Sequence, residues 1–290
     1  MHICQTTTSD GTLLKATFCP ERGMNLMSYS KGDIEVIDQK TLPLFEERMA
    51  GLGALIGPHF HHRPDSEIPP LVDENLFPFI KKLVEKGERE MFSHGIARYV
   101  PWKFTGSEDR IEATLSGADL FRGVKLSSLE GQDFEMTYKA QLVDDSLLIE
   151  YSFTKERPGV IGLHYYFALE DQKGTVESKV GPDYHRAEGW QPVEKEWLKG
   201  PGELHFGINS GVEADFGFRP EDPLSNKSEL QLKTSSHKVH INYEANSEEN
   251  AWQLYHPKEA SYVCLEPVTA QDPRNPKLTS GHLKVRIKIY

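Results

Sequence analysis

Phe134-Glu135-Met136-Thr137-Tyr138-Lys139-Ala140-Gln141-Leu142 and Leu147-Leu148-Ile149-Glu150-Tyr151-Ser152-Phe153 flank Asp144-Asp145-Ser146, and this stretch decides how the chain is read. In the first run apolar and polar side chains alternate, the period of a pleated strand that buries one face. The intervening aspartates and serine tolerate turn geometry, so the two runs are expected to fold back as a hairpin. The C-terminus repeats the pattern, with Leu283, Val285, Ile287 and Ile289 separated by Lys284, Arg286 and Lys288. Working outward, further strands are expected at 12–18, 24–29, 34–38, 110–116, 160–169, 175–180, 204–208, 228–233, 237–243 and 261–266. Short strands punctuated by turn residues predict an all-β protein, a large antiparallel sandwich or barrel. One segment departs from the pattern. Between Asp73 and Gly87, apolar residues at 76, 79, 80, 83 and 84 follow helical spacing, with acids first, lysines late and a glycine after, which predicts one short helix near residues 75–86. No repeat or linker divides the chain, and residues 1–290 are expected to form a single domain.

The bulk properties exclude several function classes. A net charge of −11, with no dense basic stretch to offset it, argues against a nucleic-acid partner. No apolar run approaches the ~20 residues that span a bilayer, and the N-terminus lacks the features of a signal peptide. Cys4, Cys19 and Cys264 are an odd number at no metal-like spacing, which fits a reducing compartment. A cytoplasmic protein without membrane or nucleic-acid partners is expected; oligomeric state is not legible.

Two apolar strands each hide one ionisable group. His164 lies within Val160-Ile161-Gly162-Leu163-His164-Tyr165-Tyr166-Phe167-Ala168-Leu169, and Glu266 within Ser261-Tyr262-Val263-Cys264-Leu265-Glu266-Pro267. Loss of hydration raises a carboxylate pKa and lowers an imidazole pKa, which is how general acid/base partners are made. A core histidine held by hydrogen bonds is the plainer account of either residue alone. Alternation puts Gly162, His164 and Tyr166 on one face, with the glycine leaving room for a ligand, and Pro267 is expected to stop the strand just after Glu266. Ser93-His94-Gly95-Ile96-Ala97-Arg98-Tyr99-Val100-Pro101-Trp102 combines donors and aromatic rings, the mixture a sugar site uses, or a surface loop. Gly57-Pro58-His59-Phe60-His61-His62-Arg63-Pro64 invites a metal reading, but no acid or cysteine stands at ligand spacing; a loop lining the pocket is expected, and no metal.

These motifs resemble the galactose mutarotase-like superfamily, meaning aldose 1-epimerases and their hexose-6-phosphate mutarotase relatives. The resemblance runs from Gly23-Met24-Asn25-Leu26-Met27-Ser28 and Gly32-Asp33-Ile34-Glu35-Val36-Ile37 to the last strand. His94-Gly95-Ile96-Ala97-Arg98 with Trp102 is similar to the family's first histidine motif, His164 with Tyr166 and Phe167 to its His-x-Tyr-Phe motif, and Cys264-Leu265-Glu266-Pro267 to its glutamate motif. It implies a β-supersandwich in which His164 is the general acid, Glu266 the general base and His94 a substrate-binding histidine. There are departures: His62-Arg63 stands where relatives often carry Asn-Arg, and Asp215 matches the family's substrate-binding aspartate with Phe216 in place of histidine.

The expected activity is then interconversion of α and β anomers of a hexose, without a cofactor. Arg63, Arg98, Asp215, Trp102 and Tyr166 join His94 as candidate substrate-binding residues, on a sugar or sugar phosphate. Arg63 and Arg98 would clamp a 6-phosphate, or pair with Glu46 or Glu47. Other readings are a carbohydrate-binding or sensing protein that keeps the cleft without the proton transfer, and a polysaccharide lyase or hydrolase, against which the missing secretion signal counts.

Overall fold

The expected hairpin forms. Phe134–Val143 runs antiparallel to Ser146–Gly159 with Leu142 opposite Leu147, and both Asp144 and Asp145 take positive φ, at 48° and 61°. Two left-handed residues in a two-residue loop match the right-handed twist of the strands they join. The computed structural model describes residues 1–61, 75–85, 87, 90–245 and 248–290.

Pairing outward from this hairpin builds one antiparallel layer. Phe134–Val143 pairs with Arg110–Ser116, and Ser146–Gly159 with Leu278–Ile289, which in turn pairs with Lys238–Ala245 and that with Lys227–Lys233. A second layer centres on Gly162–Ala168, flanked by Gly53–Ile56 and Tyr262–Val268. It continues through Ala251–His256 to Ala214–Pro220, and on its other side to Asn25–Lys31, Leu13–Cys19 and His2–Thr7. One long strand, Gly174–Arg186, belongs to both: Thr175 to Ser178 pair with Lys227–Lys233 in the first layer, while Tyr184 and His185 pair with Ala214–Pro220 in the second. The result is the all-β antiparallel sandwich expected from alternation.

Tyrosines bridge the layers. Tyr29 donates to the Ile287 carbonyl at 2.9 Å, Tyr151 to the Ile56 carbonyl at 3.1 Å, and the Tyr138 and Tyr165 hydroxyls meet at 2.9 Å. Each carries a large ring into the core and finds a partner for its one polar atom, as buried phenols require. Along the C-terminal strand Leu283, Val285, Ile287 and Ile289 are all buried, each stabilising the fold by roughly 1.5–3 kcal/mol.

The expectation of one helix is corrected to three among the described residues: α1 (Leu42–Arg48), α2 (Pro78–Glu85) and α3 (Leu126–Glu130). Only α2 falls in the expected segment. At seven and five residues, α1 and α3 are too short to display a helical period. Pro267 does not end its strand either: it pairs in register with Trp252, and Val268 with Ala251. A proline removes one ladder donor and leaves the neighbouring bonds in place.

Candidate active site

Because Tyr165 reaches through the core to Tyr138, its neighbours His164 and Tyr166 must leave the strand on the opposite face, turned away from the sandwich. On the adjacent strand, the register that sets Tyr165 against Leu265 and Tyr166 against Cys264 brings Glu266 opposite His164. Cross-strand neighbours on one face are close, and His164 Nδ1 lies 3.4 Å from Glu266 Oε1. The two expected catalytic residues are thus side by side on the floor of a cavity of about 510 Å³, within the range of small-ligand sites.

A roof of loops closes over this floor. His94 sits at φ +67° and Gly95 at φ +87°, and the backbone docks on the neighbouring loop, His94 N–H donating to the Phe60 carbonyl and Gly57 N–H to the His94 carbonyl, each at 2.8 Å. A Cβ on Gly95 would fall 2.1 Å from the Gly57 carbonyl oxygen, so only glycine permits this approach. Packing puts the His94 ring 4.9 Å from that of His164, and Ser93 Oγ lies 2.7 Å from His94 Nδ1. The next residues, Ile96–Tyr99, form a buried 3₁₀ turn carrying Arg98. Gly23 makes room for it, since a Cβ there would sit 2.0 Å from the Arg98 carbonyl oxygen.

Arg98 is the unusual member. Its side chain lines the cavity at 4% exposure, yet Nε and Nη2 have no hydrogen-bond partner among the described residues. A buried guanidinium without partners is costly, and an acceptor brought by a ligand relieves that cost. The carboxylates weighed as its alternatives are engaged elsewhere: Glu46 with Arg22 at 3.0 Å, and Glu47 with Lys82 at 3.7 Å.

Electrostatics follow from burial. Glu266 is pushed well above the ordinary carboxylate range by burial and further by Asp215, with Arg98 pulling it back. His164 is pushed well below the ordinary imidazole range by burial and by Arg98. His94 moves the same way for the same two reasons.

The remaining candidates divide. Tyr166 lines the cavity and stacks on the His164 ring at 4.9 Å and 10°, fixing the imidazole plane. Asp215 stands exposed on the wall, beside Tyr255 in the register of Ala214–Pro220 with Ala251–His256. Trp102 is not on the wall: its indole N–H donates to the Ala97 carbonyl at 2.9 Å, bracing the Arg98 turn from beneath. Arg63 and His62 lie outside the described residues. Gly162 leaves no ligand space, because Val268 fills it; a Cβ would meet Val268 Cγ1 at 2.6 Å. The histidine loop divides too. Phe60 and His61 line the cavity, with His61 Nδ1 2.9 Å from Glu90, whereas His59 turns inward to Glu130 at 2.8 Å and the Phe92 carbonyl at 2.9 Å.

Sequence reading missed Gln253 and Tyr255, which line the cavity from Ala251–His256, and Arg48 and Arg274, which also line it. The first two were findable, because Trp252 and Leu254 alternate with them.

A family model described as aldose 1-epimerase matches residues 82–280. The chain belongs to the aldose 1-epimerase family. Solved structures similar to this epimerase-family chain include an aldose epimerase homologue from C. elegans, with TM-score 0.68 and 13% identity over 100% of this chain and 98% of that one. A galactose mutarotase-like protein from Lactobacillus casei gives TM-score 0.66 and 13% identity over 99% and 100%. A Synechocystis sp. protein gives 0.64 and 18% over 99% and 95%. At such identities the likeness is one of fold. No curated protein matches significantly in sequence.

Proposed function

We propose that this family member interconverts the α and β anomers of a hexose by acid/base ring opening and closure. The observation carrying the reading is the 3.4 Å approach of His164 Nδ1 to Glu266 Oε1 on the floor of one cavity. In the reaction Glu266 takes the proton of the C1 hydroxyl while protonated His164 delivers one to the ring oxygen. The ring opens, the C1–C2 bond rotates, and the steps reverse. The pair carries one proton throughout, first as carboxylate and imidazolium, then as carboxylic acid and imidazole. Burial disfavours the charged arrangement, so the pair rests as carboxylic acid and imidazole, and ring opening starts from the costlier carboxylate–imidazolium form that the bound sugar must favour. Proton transfers alone suffice, and no cofactor enters.

His94 and Arg98 are assigned to sugar hydroxyls, with Asp215 at the mouth. A phosphorylated hexose is the second reading, favoured by the unpartnered Nε and Nη2 of Arg98, which suit a doubly accepting anionic group. Following anomer exchange of galactose, glucose and glucose 6-phosphate side by side, by NMR or polarimetry, tests both. The highest kcat/KM is expected for a free hexose; a clear preference for glucose 6-phosphate selects the second reading. Sugar binding by calorimetry without accelerated exchange of any of the three overturns catalysis in favour of sensing.

The pH profile carries a sign. Activity belongs to the one-proton pair, so the alkaline limb reports proton loss from the raised Glu266 and the acid limb a second proton on the depressed His164. Because Asp215 raises Glu266, Asp215→Asn is expected to move the alkaline limb of kcat/KM to lower pH, and less so in high salt, since Asp215 is exposed. A limb that stays in place or moves upward removes Glu266 from that role.

A further inference from the structure

Cys264 has no part in the reaction above, yet it sits two residues before Glu266 and leaves the strand on the same face. It is free, fully buried, and paired in register with Tyr166 beside the His164 strand. One ligand atom from each of His164, Cys264 and Glu266 lies within 4.8 Å of the other two. A second observation points to a ligand there: among the described residues His164 Nδ1 makes no hydrogen bond, facing only Glu266 Oε1 at 3.4 Å, although the side chain is only 7% exposed.

The spacing suits a tetrahedral ion. Bonds of about 2.0–2.1 Å from a zinc ion to nitrogen and oxygen, opened to the tetrahedral angle, place those ligands about 3.4 Å apart. His164 Nδ1 and Glu266 Oε1 already stand at 3.4 Å. A Zn–S bond of about 2.3 Å sets the sulfur edges near ~3.6 Å, against a spacing within 4.8 Å across the triad. Thiolate and imidazole select against magnesium and calcium, which prefer oxygen-only shells. Thiolate and carboxylate together neutralise a divalent ion, so the nearby Arg98 guanidinium meets no net positive charge.

We propose that His164, Cys264 and Glu266 form an inhibitory site for a thiophilic divalent cation of the zinc class, with the fourth coordination position open to the sugar cavity. Binding does not depend on the proposed epimerisation; only its inhibitory consequence does. An ion on Nδ1 prevents the ring from becoming imidazolium, and an ion on the carboxylate occupies the atom that accepts the C1 hydroxyl proton.

Cobalt(II) titration of the full chain tests the binding directly. A thiolate-to-cobalt charge-transfer band saturating at one equivalent is expected, displaced by zinc, and absent in Cys264→Ser. Glu266→Gln, which keeps the thiol, should retain the band with weakened cobalt affinity. Zinc should suppress anomer exchange by the parent at least tenfold, reversibly with chelator. Cys264→Ser should still exchange anomers and need at least roughly 100-fold more zinc for the same loss, beyond the 10–100-fold that losing an outer-shell partner costs. No band in the parent, a band that persists in Cys264→Ser, or unchanged cobalt affinity in Glu266→Gln overturns the site. A band that behaves as expected in a protein that exchanges no anomers upholds the site and removes the function instead.

Discussion

Glu266→Gln is expected to lower kcat for the proposed anomer exchange by about 10²–10⁴-fold, the contribution of one well-placed proton transfer, while sugar affinity stays within a few-fold of the parent. The substitution is close to isosteric in a site that is 2% exposed, so the cavity keeps its shape. What disappears is an oxygen able to accept a proton. A neutral amide also ends the conflict between burial and charge at this position, so thermal stability should hold or rise. Activity loss without stability loss separates a chemical role from a structural one. A kcat within a few-fold of the parent would sink the assignment.

The largest stability effect is expected at Glu130, at the end of α3. Its carboxylate lies 2.8 Å from His59 Nδ1 and 3.8 Å from Lys155 Nζ, and the side chains of Glu130 and Lys155 are each 1% exposed. His59 donates from Nε2 to the Phe92 carbonyl, and Lys155 donates to the Pro58 carbonyl at 3.0 Å. These contacts tie the first roof loop to the segment leading into His94. Glu130→Ala takes away the carboxylate that faces the buried Lys155 ammonium and the His59 ring, and removing one member of a buried ion pair costs about 3–5 kcal/mol. For a chain of this size that lowers Tm on the order of 10 °C. A calorimetric Tm within ~2 °C of the parent would show that the carboxylate does not hold the loop.

How much of this was legible from the chain depends on the length of each signal. The hairpin around Asp144 and the strand ending at Ile289 are long enough for alternation to repeat several times, and both are found where alternation puts them. Gly53–Ile56 is a four-residue strand buried on both faces, so it carries no alternation to read. For the site, the isolation of His164 and Glu266 among apolar neighbours pointed to both, but no local pattern encodes strand register. Register places them beside each other on adjacent strands, 3.4 Å apart. Trp102 was misassigned because composition supplies an aromatic ring without saying which way it faces. His59 differs from His61 for the same reason: one residue apart on either side of Phe60, they meet buried Glu130 and cavity-lining Glu90, and only the folded loop distinguishes them.

The strand Gly174–Arg186, which serves both layers, has a mechanical consequence. Peeling it from Lys227–Lys233 is expected to loosen its pairing with Ala214–Pro220, whose Asp215 borders the cavity. The floor that carries His164 and Glu266 is in this way joined to the far leaf by one continuous strand.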